Sequence, residues 1–171
     1  MAVETALVSV LLCTLLFGIV ECSLLMKDWL AVSASARAGA RMASSEPRVT
    51  TFAVDAAKQV ANSVSDLDMT GFKELWVYKA DGAGTPGSPS FSSCATACVR
   101  FTWSGGQFVT GTDTSSASSQ NACAGDPAND SIGVYLKITH RPLTGWLFGD
   151  QTIAESTVMR VEPLTTPGPC R

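Results

Sequence analysis

From Thr5 to Met26 the chain reads TALVSVLLCTLLFGIVECSLLM, apolar at nearly every position. An unbroken run of this length predicts a helix long enough to cross a bilayer. Two carboxylates mark it, Glu4 just before the run and Glu21 inside it. An acid at the centre of a membrane helix costs roughly 2.5–3.5 kcal/mol, so each needs a partner or a route to water. Glu21 lies about one turn inside the outer interface, where water can reach it. Beyond Met26 the pattern changes without breaking. Lys27 and Asp28 mark a water interface and Trp29 a candidate interfacial anchor. AVSASARAGARMASS then continues to Ser45 without proline, and Pro47 ends the helix. The spacing therefore predicts one helix over 3–45, on the order of 60 Å long, half in the membrane and half projecting from it. The projecting half is rich in Ala, Ser and Gly, which lets other backbones approach closely. Arg37 and Arg41 are four apart and share a face, either solvated or set against a carboxylate partner.

A second helix is predicted near 51–65. Ala53, Ala56, Ala57, Val60, Ala61 and Val64 form a narrow apolar stripe, with Thr50 or Thr51 as the cap. The stripe reads as a packing face for a sheet. The remainder alternates as strands do: Leu75–Tyr78, then Val99, Phe101 and Trp103 on one face, a Gly105-Gly106 hairpin, Gln107–Thr110, Ile132 through Thr139, and about Ile153–Val161 before Pro163. The expected fold class is α+β: a long leading helix and a small antiparallel sheet of four or five strands with one helix packed on it. The expected division is a stem over 1–45, with 5–26 as its membrane or filament-core part, and an extracytoplasmic domain over 46–171.

Ala80–Ser93 and Gly111–Asp130 are long, polar and rich in small residues, a composition that does not bury itself. Between the last two strands, Leu143, Trp146, Leu147 and Phe148 are bulky. They are expected in the domain core, the alternative being an exposed contact with a neighbouring subunit or the membrane surface. Asn129-Asp130-Ser131 fits a glycosylation sequon, a match frequent by chance.

Charge narrows the partners. Twelve basic and 15 acidic residues give a net charge of -3, which supplies neither a basic field for nucleic acid nor a polybasic patch for anionic lipid. The six cysteines split in two groups. Cys13 and Cys22 lie in the apolar run and read as inert thiols. Cys94, Cys98, Cys123 and Cys170 form an even set beyond a membrane segment, which points to disulfides in an oxidising compartment; three pairings are open. A zinc site is the weaker alternative, since Cys94 and Cys98 are spaced CxxxC, the other two are scattered, and His140 is the one histidine. A cleaved secretory signal fits poorly, because the start carries Glu4 with no Lys or Arg and the apolar run is too long.

No nucleophile elbow, HExxH, phosphate loop or dinucleotide fingerprint occurs. The acids at Asp66, Asp68 and Asp126–Asp130 do not follow calcium-loop spacing. His140 reads as a surface or hydrogen-bonded strand residue. Neither an enzyme nor a resident cofactor or metal is expected. The chemistry that stands out is assembly: an apolar helix with an acid near its start can pack among like helices, where Glu4 can meet a neighbouring chain's terminal ammonium.

Three stretches carry a resemblance: Val3-Glu4 with Ala6-Leu7-Val8, then Leu15-Leu16-Phe17-Gly18-Ile19-Val20-Glu21, then Ala36-Arg37-Ala38-Gly39-Ala40-Arg41. Together they resemble the TadE-like proteins, minor pilins (pseudopilins) of tight-adherence type IV pili. Ser156–Pro163 is similar to that family's closing strand. The resemblance implies a pilin-like fold, a leader cut after a Gly on the cytoplasmic side by a prepilin peptidase, and a docking role for Glu4. It extends to Glu21, Arg37 and Arg41 as a possible second assembly site. Thr5 stands where the family usually has Phe, and Glu4 is fourth from Met1 where the family's glutamate is usually fifth. Shaft-forming pilins of such systems are very short, so a domain of this size implies a minor, tip or initiation subunit. The implied partners are other pilin subunits and a membrane assembly platform. The implied location is the cell membrane, N-terminus cytoplasmic, and then an extracellular pilus. The alternative is a single-span adhesion or binding protein that does not polymerise.

Overall fold

A computed structural model describes residues 2–65, 67–86, 91–94, 97–115, 120–145 and 148–164. Asp66, Trp146, Leu147 and Cys170, singled out above, lie outside the described residues.

The leading helix α1 runs Ala2–Ser45 without a break, as the absence of proline allows. Helix α2 follows at Phe52–Ser63. Thr51 occupies its N-cap position, but the hydroxyl makes no capping bond and serves the Asp55 carboxylate instead. A 3-10 turn at Met69–Gly71 leads into the sheet. The five strands are β1 (Phe72–Ala80), β2 (Cys98–Ser104), β3 (Gln107–Asp113), β4 (Ser131–His140) and β5 (Gln151–Arg160). They pair antiparallel throughout in the order β3-β2-β1-β4-β5, with β3 and β5 as edges. The β2–β3 hairpin turns on Gly105-Gly106, as its sequence predicts.

One face of the sheet carries both helices. Val32, Ala40 and Ala43 of α1, Ala53, Ala56, Ala57 and Val60 of α2, and Leu75, Val77, Phe101, Val134 and Leu136 of the strands form one buried core. The small residues of the projecting half of α1 therefore serve the domain's own packing. Gly39 shows why: a Cβ there would lie 2.5 Å from Val60 Cγ2, so the α1–α2 crossing depends on its absence. The last turn of α1 is tied to the sheet as well, with Glu162 N–H donating to the Ser44 carbonyl at 2.9 Å, a group the helix leaves without an internal partner.

The other face is covered by chain that the composition alone assigns to solvent. Phe91, in the β1–β2 connection, stacks on Tyr135 with ring centroids 4.2 Å apart and meets Trp76 and Tyr78 edge-on. A disulfide between Cys94 and Cys98 holds this connection beside the sheet. This explains why β4, whose sequence alternates over Ile132–Thr139, is buried on both faces from Ile132 to Leu136. The second long connection is pinned by charge: Asp130 Oδ2 accepts from Asn121 N–H at 2.9 Å and pairs with Lys79 Nζ at 2.8 Å. Cys123, in the same connection, is disulfide-bonded.

Candidate functional site

Along α1, the first buried position among the described residues is not an apolar one. It is Glu21, 3 % exposed, whereas every large apolar side chain from Val3 to Val20 is open to the surroundings. The Glu21 carboxylate is enclosed by the β4–β5 connection. Oε2 accepts from Leu143 N–H at 3.0 Å; Oε1 accepts from Thr144 N–H at 2.6 Å and from the Thr144 hydroxyl at 2.7 Å. A carboxylate that accepts several hydrogen bonds from backbone donors is stabilised in its charged form and fixed in direction.

Two further contacts continue this seam. His140, buried at the end of β4, places Nδ1 2.6 Å from Asp28 Oδ2. Trp29 donates its indole N–H to Glu155 Oε1 on β5 at 2.6 Å. Positions 21, 28 and 29 fall on one helix face, two turns apart, so a single stripe of polar side chains on α1 faces the β4–β5 end of the sheet. The stem is thus gripped by the domain from Glu21 onward and stands clear of it before Glu21.

The other predicted site residues are distributed as follows. Glu4 lies exposed in the first turn of α1, where the helix dipole favours an acid. Arg37 and Arg41 are exposed on the helix side opposite the core, and no ion pair is made to either among the described residues. Glu21 is about four turns from Arg37, so the structure does not bring the three together. Cys94 and Cys98 are bonded to one another, which corrects the zinc alternative for that pair. Cys123 is disulfide-bonded, while Cys170 lies outside the described residues. Cys13 and Cys22 are free and exposed. Among the described residues, no three His, Cys, Asp or Glu side chains converge as metal ligands would.

One expectation fails here. Leu143 and Phe148 do not join the core; they are 73 % and 45 % exposed. The connection that carries them turns its backbone N–H groups towards Glu21, which leaves the Leu143 side chain facing out. Sequence reasoning missed Thr144 and Glu155 as partners of the stem, and Asp28 as the stem residue that meets His140. The one signal available was the spacing of Glu21 and Asp28, polar residues seven apart in a helix otherwise apolar or small on that face.

The family model of TadE-like proteins matches residues 1–41. That span contains the exposed apolar stretch, Glu4, Glu21 and the Ala36–Arg41 step. The match relates this stem to TadE-like proteins, and α1 is by length and composition long and apolar enough to cross a membrane. No curated protein and no solved structure matches the chain.

Proposed function

We propose that this chain is a structural, non-catalytic, pilin-like subunit of a tight-adherence type IV pilus, at a minor, tip or initiation position. It sits first in the cell membrane with its N-terminus cytoplasmic and its sheet domain outside. It then passes into the filament through helix–helix packing. Its partners are other pilin subunits and the membrane assembly platform, with a prepilin peptidase acting on any leader.

One observation carries this reading. The stretch Val3–Val20 is uncovered on every side in a folded chain, with exposures of 46–74 % across its large apolar side chains. A patch of this extent is untenable in water and needs lipid or protein around it. Lipid tails and like helices satisfy the same surface, so moving from one to the other changes little apolar exposure. Glu4 supplies direction. In a bundle of like helices the terminal ammonium of an adjacent subunit is the proposed docking partner of this acid, and such pairing would offset the cost of burying it.

The test replaces Glu4 with Ala or Leu and follows entry of the chain into sheared pilus fractions. Loss of entry with normal membrane levels is expected. Undiminished entry sinks the docking role. A wild-type chain that is absent from filaments and strictly monomeric in detergent supports a membrane-anchored adhesion protein instead.

A further inference from the structure

We infer that the β4–β5 connection is the membrane-facing surface of the domain: held down on the stem by Glu21, it sets Leu143 and Phe148 into the headgroup layer of the outer leaflet. This rests on the membrane-inserted state proposed above and adds to it where the bilayer ends and what touches it.

Three observations converge. First, the large apolar side chains of the stem stand clear of the domain from Val3 to Val20, and Glu21 is the first position at which the domain closes on the helix. The apolar run itself continues to Met26, but Leu25, Trp29 and Val32 already face protein. The hydrocarbon boundary therefore falls at Glu21, earlier than the apolar composition places it. Second, a carboxylate at that depth needs donors. The two backbone N–H groups and the hydroxyl supplied by Leu143 and Thr144 meet the need without water. To deliver them, the connection must descend to the level of the stem's exit. Third, among the described residues of the connection the large apolar side chains of Leu143 and Phe148 are exposed. Immediately beside a bilayer such residues gain by entering the interfacial zone, as aromatic and aliphatic anchors do. The occupant is a lipid surface because Leu143 and Thr144 sit on Glu21, the position that follows directly on the uncovered apolar stretch Val3–Val20. A patch for a soluble partner would have no reason to adjoin it.

The experiment uses the full chain with Cys13→Ala and Cys22→Ala, reconstituted in phosphatidylcholine–phosphatidylglycerol vesicles. Single Leu143→Cys, Leu11→Cys and Val109→Cys variants carry an environment-sensitive fluorophore. Vesicles contain lipids with a nitroxide either near the headgroup or near the chain end. The label at position 143 should be quenched by the shallow nitroxide more than by the deep one. The label at 11 should show the reverse order, and the label at 109, on the far edge strand, should be unquenched. Quenching at 11 with none at 143 overturns the inference and leaves membrane insertion standing. No quenching at either site overturns the membrane-inserted state itself. A label at 143 that is shielded from aqueous iodide but untouched by both nitroxides, in a concentration-dependent way, assigns the patch to a second copy of the chain and also overturns the inference. Adding Glu21→Ala should reduce shallow quenching at 143 while quenching at 11 persists. Unchanged quenching at 143 would remove Glu21 as the residue that holds the connection down.

Discussion

Thr144 closes on Glu21 with both its backbone N–H and its hydroxyl, at 2.6 and 2.7 Å, across 123 positions of sequence. These bonds and the one from Leu143 N–H anchor the described part of the β4–β5 connection to the stem, so its order should depend on this carboxylate. Glu21→Ala removes every acceptor at once and should expose the connection to proteolysis between 141 and 149 while the sheet stays folded. Thr144→Val removes only the hydroxyl and should produce a smaller increase. Limited proteolysis of the detergent-solubilised chain, read by mass spectrometry, checks both; equal resistance of Glu21→Ala and wild type would contradict the role given to Glu21.

Gly39 makes a second prediction that runs against helix propensity. In an isolated helix Gly→Ala stabilises by about 1 kcal/mol. Here the new methyl meets Val60 Cγ2 and approaches Ala56 O and Val134 Cγ1, all in a packed core. Gly39→Ala should therefore destabilise by about 1–3 kcal/mol, the range for overpacking. Val60→Ala in the same chain makes room, and the double variant should lose less than the sum of the two single losses. Denaturant melts arranged as a double-mutant cycle measure the coupling.

How much of this was readable beforehand follows from where each partner lies. The helix to Ser45 was legible because nothing from Ala2 to Ser45 forbids it and Pro47 does. The β2–β3 hairpin was legible because Gly105-Gly106 is a local signal. Strand β1, Phe72–Ala80, carries the local strand pattern only over Leu75–Tyr78. Its start, Phe72, is fixed by aromatic contacts with Trp103 and Phe108 that no local pattern contains. The small-residue stripe of α1 announced a close backbone approach but not whose backbone, and it proved to be α2's. Glu21 was conspicuous and its partner was not, because backbone N–H donors carry no residue signature.

Arg37 and Arg41 are exposed and have no ion-pair partner among the described residues, so the isolated subunit should not depend on them. Arg37→Ala with Arg41→Ala should change unfolding free energy by no more than about 0.5 kcal/mol, as for other surface changes. If the pair faces an acidic surface in the filament, the same variant should enter sheared pilus fractions less well and at a lower salt tolerance. A melt and a shearing assay on one preparation separate the two roles. A large loss of stability would show that the arginines serve the fold.

Tyr78 gives the chain an alkaline limit whose sign can be worked out. Its ring is buried beneath Phe91, and its hydroxyl donates to the Gly84 carbonyl at 3.0 Å. Burial pushes the hydroxyl up from its ordinary value of 10.0 to about 12. Above pH 10 the unfolded chain therefore releases this proton while the folded chain retains it. The folded state then binds more protons than the unfolded one, so stability is full below pH 10 and falls as pH rises towards 12. The slope from this one group is on the order of 1 kcal/mol per pH unit at most. Tyr78→Phe removes the proton and should flatten that part of the curve, at the cost of a lower plateau from the lost bond to Gly84. Chemical denaturation at intervals between pH 8 and pH 12 tests it. Parallel curves for Tyr78→Phe and wild type would place the alkaline sensitivity elsewhere, with Tyr135 next in line because burial raises its hydroxyl too.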